Sequence, residues 1–138
     1  MLQCRGRTGE NMSKEVIVAI STAIAPAAIG IIRLSGEGCF EILEKVFHPS
    51  FESSLKNMPD RKLVLGKLLD RKSNVIDMPL ACIFRAPHSY TGEDCAEIHC
   101  HGSQAVLTEA VLTLIQAGAR QARAGEFTQR AFLNGRMD

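Results

Sequence analysis

Side chains capable of chemistry gather between Pro87 and Gly102, where the chain reads PHSYTGEDCAEIHCHG. A proline, a Tyr-Thr-Gly turn and two acids lead into Cys95-Ala96-Glu97-Ile98-His99-Cys100-His101. In a strand, alternate side chains point to opposite faces. Ala96, Ile98 and Cys100 then form an apolar back, while Glu97, His99 and His101 form a polar front. A carboxylate flanked by imidazoles suits a face that meets a ligand. The same alternation also describes an ordinary half-exposed strand with a solvated front. Two arginines stand in comparable settings: Arg33 near the end of the apolar run Ile29–Leu34, and Arg136 just past Asn134-Gly135. Arg33 fits either an edge-strand arginine whose stem covers the core or an anion clamp.

His99-Cys100-His101 invites a zinc reading. On a strand, however, Cys100 points away from both histidines, and no second ligand pair stands at a usable spacing. The five cysteines are odd in number, contain no CxxC and mostly sit in apolar settings. This suits buried thiols in a reducing compartment better than a disulfide framework. Gly66-Lys67-Leu68 lacks the upstream glycine and the hydroxyl of a phosphate loop.

These groups need a framework, and 138 residues with 46% hydrophobic and 22% charged side chains fit one globular domain. With 5% aromatics and no tryptophan, its core must rest on Ile, Leu, Val and Ala. A net charge of +1 without a basic stripe gives no electrostatic footprint for nucleic acid. No apolar run reaches the ~18 residues of a membrane span. The first dozen residues lack the apolar segment of a signal peptide. Residues 1–12 are therefore expected as a disordered extension, with Met12 a plausible initiator, residues 13–138 as the domain, and the cytoplasm as its location.

The pattern predicts strands over Val16–Ile20 and Ile29–Leu34, separated by a small-residue loop, Ser21–Ala28. A helical stripe follows in Glu37–Phe47 (Phe40, Leu43, Val46, Phe47), with Glu41 and Lys45 able to pair on its outer face. Pro49–Asp60 reads as a surface loop. Lys62–Leu69 and Val75–Phe84 flank the turn Asp70-Arg71-Lys72-Ser73-Asn74 as an antiparallel hairpin. A helix from Ser103 to Ala117 directs Val106, Leu107, Ala110, Val111, Leu114 and Ile115 inward and Glu109, Thr113 and Gln116 outward, with Gly118 as its C′ residue. Glu126 opens a short last helix that Asn134-Gly135 closes. Strands interspersed with few helices indicate an α+β fold, a mixed or antiparallel sheet packed with a few helices.

A carboxylate such as Glu97 is satisfied by a ligand offering two parallel N–H groups, as an aminopyrimidine does, and arginines suit a carboxylate tail. These residue types fit a pterin with an acidic tail, although spacing alone does not name one. Three blocks then resemble the N-terminal domain of the MnmE (TrmE) family of tRNA-modification GTPases. They are Ile29-Gly-Ile-Ile-Arg-Leu-Ser-Gly36, Tyr90-Thr-Gly-Glu-Asp-Cys-Ala-Glu-Ile-His-Cys-His-Gly102, and Gly125-Glu-Phe-Thr-Gln-Arg-Ala-Phe-Leu-Asn-Gly-Arg-Met-Asp138. They stand in the family's order, and the likeness runs from about Val16 onward.

The resemblance implies a domain that binds 5-formyltetrahydrofolate, shares the fold of the folate-binding domain of aminomethyltransferases and mediates homodimerisation. It implies Arg33, Glu97 and Arg136 as folate-binding positions, with Glu97 on the pterin edge and no catalytic or metal-binding residue. Family members continue into a helical domain with an inserted G domain, where GTP, potassium and magnesium belong. With the flavoprotein MnmG they modify C5 of the wobble uridine in tRNA. The sequence stops where that helical domain would begin, so this chain itself is not expected to hydrolyse GTP. Three departures from the family pattern bear on the folate: Ala25-Pro26-Ala27-Ala28 in place of a glycine-rich loop, Ser103 after His101-Gly102, and Ala124 before Gly125-Glu126-Phe127. Other classes that fit are a dimerisation scaffold without folate affinity and a stand-alone folate-dependent one-carbon transfer enzyme.

Overall fold

The computed structural model of the chain describes residues 15–22, 28–50 and 54–136. The expected extension at residues 1–12 and most of the alanine-rich loop, residues 23–27, lie outside them. Within the described residues, eight strands form one sheet: β1 (Ile17–Ile20), β2 (Ile29–Ser35), β3 (Phe47–Pro49), β4 (Val64–Leu69), β5 (Val75–Asp77), β6 (Leu80–Phe84), β7 (Cys95–His101) and β8 (Arg120–Gln121). Their order is β3-β4-β6-β7-β2-β1-β8, with β5 pairing β4 off this path. Every pairing is antiparallel except β1 with β8. Among the described residues, three helices complete an α+β fold: α1 (Cys39–Val46), α2 (Gln104–Gln116) and α3 (Glu126–Leu133).

The alternation along β7 is realised. Ala96, Ile98 and Cys100 are buried, and they join Ile32 and Leu34 of β2 and Val18 of β1 on one sheet face. Ile42, Leu43 and Val46 of α1 and Leu107, Ala110, Val111 and Leu114 of α2 pack into this core. Burying each large aliphatic side chain contributes roughly 1.5–3 kcal/mol, so this layer is the main source of stability. Ser103 caps α2 by accepting from the Val106 N–H, and Gly118 follows the helix at φ +128°. Lys45 reaches across to the Ala117 carbonyl at 3.0 Å, adding a cation at the carboxyl end of α2.

Four expectations need correction. Arg33 is not on an edge, because β2 lies between β7 and β1. The span Pro49–Asp60 is not wholly surface: Phe47–Pro49 pairs with β4, and Leu55 and Met58 are 1% exposed around a short 3-10 turn. Its polar composition hid two apolar anchors. The hairpin's second arm is broken between Asp77 and Leu80, since Pro79 has no N–H for the ladder. Thr113 is buried rather than exposed, at 3%, on the side of α2 that faces the 70–74 turn.

The described cysteines, Cys39, Cys82, Cys95 and Cys100, are free and buried. Burial holds the Cys39 thiol well above its ordinary pKa and pushes Cys100 up to about 12, so neither forms a thiolate readily at neutral pH. Mass spectrometry after iodoacetamide treatment is expected to show Cys39 and Cys100 unmodified in the folded chain and alkylated after denaturation. Rapid alkylation of either in native buffer would contradict this packing.

Candidate functional site

The second sheet face carries the charges. Residues Arg33 and Glu97 are direct partners in the β2–β7 ladder, so their side chains leave the sheet side by side. Arg33 Nη2 donates to Glu97 Oε2 at 3.0 Å, with both side chains about three-quarters covered. The Arg33 guanidinium also lies 5.2 Å from the Tyr90 ring centre and 5.9 Å from that of Phe127, within reach of cation–π attraction. A cavity of about 90 Å³ remains, lined by Arg33, Phe84, Tyr90, Cys95 and Glu97.

His99 Nε2 lies 3.2 Å from Glu97 Oε1, extending the polar front. His101 is engaged elsewhere: its Nδ1 lies 2.7 Å from Asp77 Oδ1, and its backbone N–H donates to Asp77 Oδ2 at 2.9 Å. Burial raises the Asp77 pKa, but the hydrogen bonds from His101 and the Met78 N–H outweigh it and leave the carboxyl below its ordinary range. Arg136 does not line the cavity. It stands behind the loop that roofs it, where its Nε donates to the Ser89 carbonyl at 3.2 Å. The three predicted charges therefore divide into a touching pair and an outlying loop anchor.

Between Arg85 and Asp94 that roof is held from several sides. Asn134 Nδ2 donates to the Thr91 carbonyl at 2.8 Å, and the Tyr90 hydroxyl lies 2.9 Å from Thr128 Oγ1. The Ser35 hydroxyl donates to Glu93 Oε1 at 2.7 Å and lies 2.7 Å from Thr91 Oγ1. Arg130, 4% exposed, directs Nη1 to Glu93 Oε1 at 3.1 Å and Nη2 to Glu126 Oε2 at 3.4 Å. Glu126 in turn takes a two-pronged grip from Arg120 at 3.0 and 2.7 Å and the Arg123 N–H at 2.9 Å. Hydrogen bonds from the Arg120 guanidinium are the main reason that Glu126 falls from 4.5 to about 2.

Sequence reasoning missed this polar layer and the aromatic pair around Arg33. One signal was present: Glu126 and Arg130 stand four apart on a helix whose buried side holds Glu126, Arg130 and Ala131. A larger concavity, about 940 Å³, opens between the 70–74 turn and α2. Its lining mixes charged groups of both signs, Asp70, Arg71, Lys72 and Glu109, with the exposed Leu112.

Fold and site define a small α+β domain whose central strands present an aromatic-covered Arg–Glu pair. The chain belongs to the family described as GTP-binding protein TrmE N-terminus, which matches residues 16–136. It is 42% identical over 128 residues to the tRNA modification GTPase MnmE of Carboxydothermus hydrogenoformans, covering 92% of this chain and 28% of that protein. The MnmE of Thermus thermophilus is 46% identical over 126 residues, with coverages of 91% and 28%. That of Aquifex aeolicus is 42% identical over 125 residues, with 91% and 27%. The chain thus spans little more than a quarter of the length of the curated relatives it matches. Among the described residues, no helix is long and apolar enough to cross a membrane.

Two outcomes follow from the polar layer. Glu126→Gln is expected to lower stability to urea by about 2–3 kcal/mol near neutral pH, because the depressed carboxyl binds its proton more weakly folded than unfolded. That contribution is complete above pH ~4.5 and lost as pH falls through ~2, so wild type and variant should converge in strong acid. A constant difference across the range would contradict the assignment. Gly92 sits at φ +82°, and a Cβ there would lie 3.0 Å from Asn134 Cβ and 3.2 Å from Arg136 Cγ. Gly92→Ala should lower the melting temperature, with the loss falling on the roof; a melting curve equal to wild type would refute that close approach.

Proposed function

We propose that this chain is the 5-formyltetrahydrofolate-binding and homodimerising module of a tRNA-modifying GTPase that acts on C5 of the wobble uridine. The observation that carries the reading is the Arg33–Glu97 pair, half-buried on adjacent central strands under Tyr90. Glu97 already accepts from a guanidinium, whose parallel N–H groups resemble the donor edge of an aminopyrimidine. A pterin would take that edge in place of Arg33, which would turn toward the acidic tail together with Arg136. Ligand pockets commonly span ~300–1,000 Å³, so the present recess must widen by movement of Tyr90 or Arg33. Residues 13–138 form the module; GTP, potassium, magnesium, MnmG and tRNA belong to the whole cytoplasmic assembly.

Homodimerisation is supported by the same sheet face. Ile29, Leu65 and Leu80 are 57%, 42% and 38% exposed. Their ladder partners place them on the side of His99 and His101. Apolar groups sharing one open sheet face suit a second copy better than water. The mutual pairing of Arg33 and Glu97 also favours a second reading, a dimerisation scaffold in which the two charges merely satisfy each other.

Calorimetric titration with 5-formyltetrahydrofolate, with GTP as control, separates these readings. Saturable folate heat without GTP heat is expected. Glu97→Ala should abolish folate binding with the fold intact, since lost charged hydrogen bonds cost ~1.5–3 kcal/mol or more. Arg33→Ala and Arg136→Ala should weaken a polyglutamylated folate in a salt-sensitive way. A folded dimer that takes up no folate would establish the scaffold, and a Glu97→Ala variant binding like wild type would remove Glu97 from the site.

A further inference from the structure

We infer that Arg130 is a positioning residue of the site, setting Tyr90 over Arg33 by holding Glu93. The inference rests on the folate reading only for its consequence in binding; its geometry is independent of it. Arg130 reaches Glu93 Oε1 at 3.1 Å and Oε2 at 3.5 Å and the Ser35 carbonyl at 3.5 Å, from a side chain 5% exposed. Glu93 then controls the loop on both sides of Tyr90. Its backbone N–H donates to Thr91 Oγ1 at 3.2 Å, and its carbonyl accepts from the Ser89 hydroxyl. Ser35, bonded to Glu93 Oε1, lies two residues along β2 from Arg33 on the same face.

The fork geometry is essential. A guanidinium offers N–H groups in fixed directions to both Glu93 and Glu126, whereas an ammonium is a single point charge on a flexible stem. A lysine at this position keeps the charge but cannot span the two carboxylates. Glu93 would then be left to the Ser35 hydroxyl, and the loop would lose its tie to α3 at that point.

The chain carries its own reporter, since it contains one tyrosine and no tryptophan. Near-ultraviolet dichroism in the tyrosine band and quenching of tyrosine fluorescence by iodide therefore follow Tyr90 alone. Arg130→Lys and the isosteric Glu93→Gln are each expected to flatten that band and raise iodide quenching. Far-ultraviolet dichroism should stay native and unfolding cooperative. Both variants should weaken 5-formyltetrahydrofolate on the order of tenfold, and the double variant no further, as residues acting through one contact do.

An unchanged Tyr90 signal in both folded variants would overturn the inference. So would a released Tyr90 with undiminished folate affinity. If Arg130→Lys does not fold, Glu93→Gln decides alone. If wild type takes up no folate, the folate reading fails, and the tyrosine signals still decide whether Arg130 sets the loop.

Discussion

The β2–β7 ladder is the constraint on which the domain turns. Seven consecutive residue pairs, from Ile29 with His101 to Ser35 with Cys95, join these two central strands. A slip of one residue would exchange the faces of a strand. It would drive Arg33 or Glu97 beneath α1 and α2 and bring Ile32 or Ile98 to the open side. Desolvating an unpaired charge costs several kcal/mol, and the displaced aliphatics would forfeit their burial as well. Core packing and charge pairing thus enforce the same register. The interaction that keeps the sheet in register is also the one that builds the site.

The two sheet faces are stabilised by different physics. Under α1 and α2 the contacts are aliphatic, non-directional and tolerant of small shifts. Under α3 they are directional: Arg120, Glu126, Arg130, Glu93, Ser35 and Thr91 link in a continuous chain of hydrogen bonds and ion pairs. Among the described residues, no buried side-chain nitrogen or oxygen lacks a hydrogen-bond partner. Exchanging a whole buried polar network for apolar groups can be nearly neutral, because desolvation offsets much of its attraction, whereas removing one partner is costly. Fully satisfied, such a network rigidifies and selects one arrangement. An apolar layer secures the fold, and a polar layer fixes the geometry of the roof.

Much of this was legible in the sequence because period-2 and helical patterns report burial directly. The alternation along Cys95–His101, the stripe of α2 and the closing glycines Gly118 and Gly135 all appear as their residue types require. The central position of β2 was not legible, since a single arginine in an apolar run is compatible with an edge or a paired charge. Arg33 and Glu97 stand 64 positions apart, and only strand order reveals that each is the other's neighbour. Leu55 and Met58 were hidden for the opposite reason, as isolated apolar residues in a polar stretch carry no period. The site is legible as a set of residue types and illegible as a set of contacts.

The parallel pairing of β8 with β1 has a bearing on how the domain comes into being. Residues 17 and 18 wait for residues 120 and 121 before that edge is complete, and the roof waits longer still, for Arg130, Asn134 and Arg136. During synthesis the amino-terminal part of a chain emerges first. All eight described strands and the two core helices therefore leave the ribosome before α3 does. For that interval the nascent domain would present Arg33 and Glu97 beneath an untethered Tyr90 loop. Within the domain, the helix that ties down the roof is thus later in the chain than every strand that frames the recess.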